Sequence, residues 1–394
     1  MQAFNYNHTG YDIRSELQDA NRYTWHYLSQ PGNWWSAEEK IAIAKETRQA
    51  TQCAFCQQRK LAISPFAVKG THEHGSKLPE AVVDIVHRIA TDSSRLTKDW
   101  VQNLQKIGIS SSHYVELLGV VVFIINIDTL HKGLGISLEP LPSPTAGQPS
   151  NYQPSELLSA DAWVPMLNMK KLSPTEADLY ADIRNKPTNV LLALSSVPDS
   201  VRCQRYLENR YYLPPKNILN ARDNAGRAIS RQQIEFVASR VSANNQCFYC
   251  TTSHSMMYQV TSEINGAKTD FKAITNPAGT ESQDTLSLIS NFVDALMQDD
   301  DSAIKLARQA IEKNINKAAS VEISALVGSF QRMNRIANAT GISLDGIVNA
   351  MSGEAQKELG LRDYQTSNTS TQSNPILSFL MSKFRKLLFR LLSK

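Results

Sequence analysis

The sequence predicts an all-α protein, and two observations carry that prediction. Apolar residues recur at helical spacing through long stretches of both halves of the 394-residue chain. Strand-like alternation is scarce, and its strongest example, 120–125, lies inside a long run without a Gly–Pro break, so it is predicted to be helical. The predicted helices are 37–62, 79–90, 115–131, 284–297, 302–315 and 319–340.

The first predicted helix has a clear start signal. Ser36 is followed three residues later by Glu39, which is the pattern of a capping box in which each side chain satisfies the other residue's backbone amide. The turn residues Pro31 and Gly32 come shortly before it. We therefore expect a helix that begins at residue 37 and carries a Cys-x-x-Cys motif towards its end.

Charge and composition narrow the possible partners. The chain has 41 Lys and Arg residues against 37 Asp and Glu residues, a net charge of +4. This excess is too small to indicate a nucleic-acid-binding protein, and the body of the chain has no basic patch interleaved with aromatic residues. We expect no nucleic-acid partner.

Cysteine usage favours a reducing compartment. Four of the five cysteines form two close pairs and Cys203 stands alone, so we expect redox or metal sites instead of a disulfide framework. Cys203 is predicted to be a small buried apolar residue. Residues 1–19 contain no apolar core segment, so no secretory signal is expected. The predicted location is cytoplasmic.

The motif that carries most chemistry is the set Glu235, Cys247, Cys250 and His254. On a helix, the two cysteines lie one turn apart, close enough for their sulfurs to form a disulfide. His254 follows Cys250 by four residues, so it lies over the same face and can reach that sulfur. A thiolate beside a histidine is the reactive form of cysteine. The alternative is a pair of structural cysteines with an unrelated surface histidine.

This constellation resembles the active-site signature of the alkylhydroperoxidase D-like family, within the carboxymuconolactone decarboxylase superfamily. All four signature positions are present, and the lead-in 228–235 also resembles the family's entry to its active-site helix. The resemblance implies an all-helical fold and a thiol peroxidase or disulfide-exchange activity. It further implies that Cys250 attacks the peroxide, that Cys247 resolves the sulfenic acid, and that Glu235 and His254 form a proton relay.

A second Cys-x-x-Cys motif, Cys53 and Cys56, lies in the first half of the chain. When the two motifs are aligned, Lys60 stands opposite His254 and Ile41 opposite Glu235, so both relay positions are lost. Glu46 is expected two turns before Cys53 on the same face and could serve as a base. Lys60 could stabilise a thiolate by its charge, although it could not relay a proton. These residues form a possible second site.

Two other interpretations of the first motif remain open. The pair could be a degenerate copy that is kept for packing, or it could bind zinc together with His72 and His74. The His-x-His spacing is shorter than in zinc fingers, so the sequence prediction includes no metal. His87 and Asp92 also lie nearby in sequence and could contribute polar groups. The segment 78–100 resembles a less-studied branch of alkylhydroperoxidase-related proteins.

The chain is predicted to be an internal duplication. The segment 113–138 parallels 319–344, and the second copy carries an insertion that we place within 265–284. The predicted units are two alkylhydroperoxidase D-like repeats, a Pro- and Ser-rich linker, a polar tether and a C-terminal helix. Their ranges are 1–138 and 157–362 for the repeats, 139–156 for the linker, 363–374 for the tether and 375–394 for the helix.

The C-terminal segment 375–394 is predicted to be a basic amphipathic helix. It has five basic residues and no acidic ones. One helical face carries the apolar residues Leu377, Leu380, Phe384, Leu387, Leu388 and Leu391. Its charges interrupt any spanning apolar run, so it suits the surface of a membrane better than its interior. Such a helix could instead mediate oligomerisation or dock on a protein partner.

Together these features predict a thiol-dependent peroxidase that needs no organic or metal cofactor, because a thiolate attacks the O–O bond directly. The expected partners are a hydroperoxide substrate, a dithiol electron donor, further copies of the chain in a homo-oligomer, and a membrane surface that the C-terminal helix binds. The alternatives are a redox-sensing scaffold without catalytic activity and a decarboxylase of the same superfamily. The decarboxylase would not need the cysteine pair.

Overall fold

The computed structural model describes residues 3–159, 161–276, 284–370 and 375–393, and it confirms the all-α prediction. The described part of the first half contains six helices, and the first Cys-x-x-Cys motif lies at the start of the third. They are α1 (Ser15–Ser29), α2 (Ala37–Ala50), α3 (Ala54–Leu61), α4 (Glu80–Asp92), α5 (Lys98–Asn103) and α6 (Ser111–Leu134). Short 3₁₀ turns at Ser93–Arg95 and Leu104–Ile107 flank α5.

The second half is also helical, and its only described strands are a two-residue antiparallel pair, β1 (Leu157–Leu158) and β2 (Met166–Leu167). Its helices are α7 (Asn189–Leu192), α8 (Pro198–Tyr211), α9 (Pro215–Ile218), α10 (Arg231–Asn244), α11 (Phe248–Ile264), α12 (Lys272–Thr275), α13 (Thr285–Gln298), α14 (Asp301–Asn314), α15 (Lys317–Thr340), α16 (Gly346–Met351), α17 (Gly353–Glu358) and α18 (Pro375–Leu392). Further 3₁₀ turns lie at Ala181–Ile183, Leu361–Asp363 and Gln365–Thr369.

Helix α6 packs along α15 and forms the centre of the molecule. Both helices are 24 residues long, and each ends at a glycine in the left-handed conformation, Gly135 and Gly341. Because such a glycine has no side chain to clash, it ends a helix cleanly. Helices α2 and α4 pack on α6, whereas α10, α11 and α13 pack on α15.

The order of elements is similar on the two sides of this centre. Helices α2 and α10 each begin with a complete capping box, at Ser36 and Ser230. Each is followed by a short turn and then by a helix whose N-cap is a cysteine, Cys53 or Cys247. The two Cys-x-x-Cys motifs therefore occupy matching positions, at the N-terminus of a helix.

The prediction of one continuous helix over 37–62 is wrong. Helix α2 ends at Ala50, and α3 begins at Ala54 after a turn. The break places Cys53 at the N-cap, where its backbone is extended, with φ −67° and ψ 115°. The sulfur of Cys53 can then face the loop that follows α3, which a helical residue at this position would not do.

The two predicted connecting segments lie against the body. The linker 139–156 has no regular secondary structure, and its backbone bonds to the first half, with Thr145 N donating to Ser29 O and Ser150 N to Gly32 O. The first part of the predicted tether, 363–370, folds into a 3₁₀ turn with Thr366 buried. The rest of the tether, 371–374, lies outside the described residues, as do residues 277–283 of the predicted insertion.

Among the described residues, α6 is the one helix that is long and apolar enough to span a membrane. In this fold, 83% of its apolar window is buried inside the protein. Its apolar surface is therefore in contact with other helices of the chain, chiefly α15.

Candidate functional site

The second cysteine pair lies at the start of α11. Cys247 is the N-cap, and its sulfur accepts a hydrogen bond from the backbone amide of Cys250 at 3.5 Å. Both thiols are buried, with 0% of Cys247 and 3% of Cys250 exposed. Burial and the neighbouring Cys250 raise the pKa of Cys247 well above its ordinary value. At neutral pH Cys247 is therefore a thiol.

Glu235 on α10 is the electrostatic centre of this site. It is fully buried and accepts hydrogen bonds from Tyr212 Oη at 2.6 Å and Arg231 Nε at 2.7 Å. Burial alone would raise its pKa, but Arg231, His254 and Tyr212 outweigh burial and lower it to about 2. Glu235 is therefore a carboxylate at any physiological pH.

His254 on α11 is paired with this carboxylate. Its Nδ1 lies 2.8 Å from Glu235 Oε2, and its ring meets those of Tyr212 and Phe330 edge-on, with centroids 5.4 and 4.5 Å away. Because Nδ1 faces Glu235, the other ring nitrogen, Nε2, is the atom that can exchange a proton with another group. Within the described residues, the hydrogen bond of His254 is to Glu235 and not to a sulfur of the cysteine pair.

The 3₁₀ segment that follows α17 covers the start of α11. Thr366 Oγ1 accepts a hydrogen bond from the backbone amide of Phe248 at 3.3 Å. Tyr364 lies close enough to Cys247 for the two groups to interact electrostatically, although burial is the main reason that the pKa of Tyr364 is raised to about 12. Sequence reasoning missed these contacts, because the polar composition of the segment indicates a tether.

The first cysteine pair belongs to a cluster of four buried residues, Cys53, Cys56, His72 and His87, which we call the Cys53 cluster. Cys56 Sγ lies 3.2 Å from His87 Nδ1 and 3.5 Å from His72 Nδ1. Cys53 Sγ lies 3.7 Å from His72 Nδ1. His72 comes from the loop between α3 and α4, and His87 comes from the middle of α4. The fold therefore assembles the cluster from three separate elements.

Two carboxylates hold the outer nitrogens of these histidines. Glu46 Oε2 lies 3.2 Å from His87 Nε2, and Asp84 Oδ1 lies 3.0 Å from His72 Nε2. Arg59, which is 3% exposed, donates to the same oxygen of Asp84 at 2.6 Å. Burial lowers the pKa of His87 to about 4 with help from His72, despite the neighbouring Glu46. His87 is therefore neutral at physiological pH.

The structure places the predicted second-site residues as follows. Glu46 does lie beside the first cysteine pair, but it reaches Cys56 through His87 and not directly. Lys60 is exposed at the end of α3. The cation that lies beside the Cys53 cluster is instead the buried Arg59. His74, a ligand in the zinc alternative that the sequence left open, is exposed and faces Glu80 at 2.6 Å. His87 replaces it, since α4 packs against α2.

A cleft of about 390 Å³ opens beside the first cysteine pair. Its wall includes Cys56 and Lys60 from the first half, and Gln331 and Arg335 from α15. The remaining cysteine, Cys203, lies elsewhere on α8 and is fully buried, with its sulfur 3.6 Å from Thr24 Oγ1. Burial raises the pKa of Cys203 to about 12, in agreement with the prediction of a small buried apolar residue.

Comparisons of this chain with protein-family models, curated proteins and solved structures find no match to any of them.

Proposed function

We propose that this chain is a thiol-dependent peroxidase whose active dithiol is Cys247 and Cys250. The observation that carries the proposal is the contact, at 2.8 Å, between buried Glu235 on α10 and partly exposed His254 on α11, the helix that begins with the dithiol. The carboxylate holds Nδ1 of His254 and so orients the ring, and an imidazole beside a thiol can accept its proton. The resemblance of these four residues to the alkylhydroperoxidase D-like signature points to the same chemistry.

The proposed reaction begins when His254 takes the proton of Cys250 and leaves a thiolate. The thiolate attacks one peroxide oxygen, the O–O bond breaks, and the alkoxide leaves as an alcohol after it takes a proton from His254. Cys250 is then a sulfenic acid. The thiol of Cys247 attacks that sulfur and releases water, so that a disulfide forms. An external dithiol donor reduces the disulfide by thiol exchange.

The proposal includes an internal duplication of an alkylhydroperoxidase D-like unit. Matching capping boxes, matching cysteine N-caps and the equal lengths of α6 and α15 support it. We propose that the two copies diverged in function. Only the second copy keeps both relay residues, Glu235 on α10 and His254 on α11. The dithiol donor and further copies of this chain are the proposed partners.

Cysteine variants test the assignment. Cys250→Ser should abolish consumption of a small alkyl hydroperoxide in the presence of dithiothreitol. Cys247→Ser should instead accumulate a sulfenic acid on Cys250, which dimedone labelling and mass spectrometry would detect. Cys203→Ser is the matched control and should keep full turnover. If Cys250→Ser kept full turnover and Cys56→Ser lost it, the active dithiol would be in the first half of the chain.

The relay has a test of its own. Glu235→Gln should lower the rate of peroxide consumption at neutral pH by roughly a hundredfold, which is typical of lost general-base catalysis. Part of the rate should return at high pH, where the thiol ionises without help. A pH–rate profile identical to that of the unaltered protein would exclude Glu235 from the reaction.

The structure also favours a membrane-surface role for α18. One stripe of its surface, formed by Leu380, Phe384, Leu387 and Leu391, is 48 to 57% exposed. The segment is basic, so we propose that it binds anionic lipid. In a redox-sensing scaffold the same helix would recruit the chain without peroxide turnover, and in a decarboxylase turnover would not need the cysteines. The peroxide assay separates both alternatives from the peroxidase.

A further inference from the structure

The Cys53 cluster directs four metal-binding atoms towards one point. These atoms are the sulfurs of Cys53 and Cys56 and the Nδ1 atoms of His72 and His87, and all four lie within 4.8 Å of one another. Each of the four residues is at most 6% exposed. Two thiols and two imidazoles form a ligand set that zinc prefers, whereas calcium and magnesium prefer oxygen ligands.

The distances fit a tetrahedron around a zinc ion. Zinc bonds of about 2.3 Å to sulfur and about 2.0–2.1 Å to nitrogen place neighbouring sulfur and nitrogen corners roughly 3.6 Å apart. Three sulfur–nitrogen distances within the Cys53 cluster are 3.7, 3.5 and 3.2 Å. We propose that this chain binds a zinc ion through Cys53, Cys56, His72 and His87.

The surroundings of the two histidines support a metal centre. His72 Nε2 faces the carboxylate of Asp84 and His87 Nε2 faces that of Glu46, at 3.0 and 3.2 Å. A histidine that donates its outer N–H to a carboxylate presents the lone pair of its other nitrogen inwards. Metal-binding histidines almost always have such a partner, which fixes the tautomer and orients the ring. Here both histidines have one.

The charges of the groups around the Cys53 cluster would balance those of a bound zinc ion. Two thiolates would neutralise the charge of a zinc ion within the cluster. Asp84 is neutralised separately, because Arg59 and Arg88 bond to its two oxygens at 2.6 and 2.8 Å. These two guanidinium groups exceed the charge of Asp84 by one, and the buried carboxylate of Glu46 offsets that excess, so the site would hold no net charge.

All four positions of the proposed site are filled by protein side chains, which is the pattern of a structural zinc site and not of a catalytic one. The ion would join the N-terminus of α3 to the loop 62–79 and to α4. This proposal does not rest on the peroxidase function, which concerns a different cysteine pair.

The first experiment measures zinc in the full-length chain, after reduction, loading with zinc and removal of the excess by desalting. Inductively coupled plasma mass spectrometry should find about one zinc ion per chain. The double variant Cys53→Ser/Cys56→Ser and the variant His87→Ala should each lose this zinc. His74→Ala, which alters a nearby exposed histidine, and Cys250→Ser, which alters the other cysteine pair, are the matched controls and should keep it.

A second measurement needs no substitution, so misfolding of a variant cannot obscure the answer. The reduced full-length chain, titrated with cobalt, should develop the visible bands of tetrahedral cobalt and the near-ultraviolet charge-transfer band of cobalt thiolates. Zinc should then displace the cobalt and remove both signals. The proposal is overturned if the intact chain retains no zinc and gives no thiolate band, or if the double cysteine variant retains as much zinc as the intact chain.

Discussion

At the scale of single residues, two buried glutamates show how the surroundings of a carboxyl group determine its charge. Burial acts to raise the pKa of both. At Glu235, Arg231 and His254 outweigh burial and lower the pKa to about 2. At Glu116, Lys40 and backbone amides only partly offset burial, and the pKa rises to about 7. Of these two glutamates, only Glu235 is fully ionised at neutral pH. Only Glu235 can therefore stabilise a protonated histidine at that pH.

This difference gives a prediction about acid stability. The folded pKa of Glu235 is about 2 against an ordinary value of 4.5, so the folded state favours the carboxylate. Its contribution to stability is therefore complete above pH 4.5 and is lost as the pH falls through 2. We expect the free energy of unfolding of the unaltered protein to exceed that of Glu235→Gln by on the order of 3 kcal/mol at pH 6. That difference should shrink by about 2 kcal/mol at pH 3.

Urea denaturation of both proteins at the two pH values measures this effect. Glu38→Gln, which removes an exposed carboxylate on α2, is the control and should show no such change. The comparison between variants matters because other carboxylates also titrate between pH 6 and 3. If the difference in free energy of unfolding between the unaltered protein and Glu235→Gln stayed constant with pH, the neighbours of Glu235 would not lower its pKa.

The sequence could predict one site at this scale better than the other. Glu235 and His254 belong to one motif, and the structure places them in contact at 2.8 Å. His87 follows Cys56 by 31 residues, beyond the reach of helical spacing, and it contacts Cys56 because α4 packs against α2. Helical spacing instead places Lys60, four residues after Cys56, beside the cysteine pair. Local spacing cannot reveal a ligand that arrives through tertiary packing.

At the scale of helices, the predicted elements exist and their ends are shifted by a few residues. The main exception is the break between α2 and α3, which no Gly or Pro marks in the sequence. The signal that defines the break is the use of Cys53 as an N-cap, and cysteine is not among the residues preferred at N-caps. The interface of α6 and α15 likewise depends on a feature that periodicity does not show, the close approach of the two helices at Gly133 and Gly328.

Gly328 on α15 faces the backbone of α6. A Cβ atom added at Gly328 would lie 2.3 Å from the carbonyl oxygen of Asn126, which is closer than real Cβ contacts come, and a backbone atom cannot move aside freely. We expect Gly328→Ala to lower the free energy of unfolding by about 1–3 kcal/mol through overpacking. Gly346→Ala is the matched control, because nothing lies within 4 Å of its added Cβ. Equal melting temperatures for the two variants would contradict this prediction.

Helix α18 has one face docked on the body and one exposed apolar face, and we expect substitutions in the two faces to have different effects. Arg385 and Phe389 are buried, and Arg385 bonds to Met351 O at 2.9 Å and to Glu263 at 3.2 Å. Deletion of α18 would therefore also expose part of the body. Substitutions in the exposed stripe test lipid binding more selectively, because they leave the docked face intact.

The double variant Leu380→Asp/Leu387→Asp should bind phosphatidylserine-containing vesicles much more weakly than the unaltered protein in co-sedimentation. It loses apolar insertion and adds charge that the lipid repels, and each charge near such a surface contributes on the order of 1 kcal/mol. Leu306→Asp, at an exposed leucine on α14, should bind normally. Vesicle binding should also weaken at high salt. If the unaltered protein ignores the vesicles but the double variant changes its oligomeric mass, α18 is an assembly helix.

At the scale of the whole molecule, one apolar core draws residues from both halves of the chain, and a second core lies wholly within the second half. One cluster of buried apolar residues includes Val121 and Leu130 of α6 together with Ile336 of α15 and Leu207 of α8. A helix that is apolar on all sides, as α6 is, has to be enclosed by other helices. The sequence predicts the duplication from its repeated pattern, but the pattern within each copy cannot show that the copies share a core.

Polar contacts join the halves as well. Arg332 of α15 is fully buried, and its Nε donates to Asn126 Oδ1 of α6 at 2.9 Å. Tyr114 Oη of α6 donates to Ala339 O of α15 at 2.9 Å. In the separated halves these groups would lose their partners, and an unpaired buried polar group costs about 1–3 kcal/mol. The apolar surface of α6 would also be exposed to water.

We therefore predict that residues 1–156 and 157–394, expressed separately, do not fold, and that the full chain unfolds in one cooperative transition. Circular dichroism during urea denaturation measures both. The matched control is the full chain with a protease site inserted within 143–148, a mostly exposed part of the linker. After cleavage there, the two pieces should stay together in size-exclusion chromatography, because the contacts that hold them lie in α6 and α15. A separate half that unfolds cooperatively by itself would show that each copy is an independent domain.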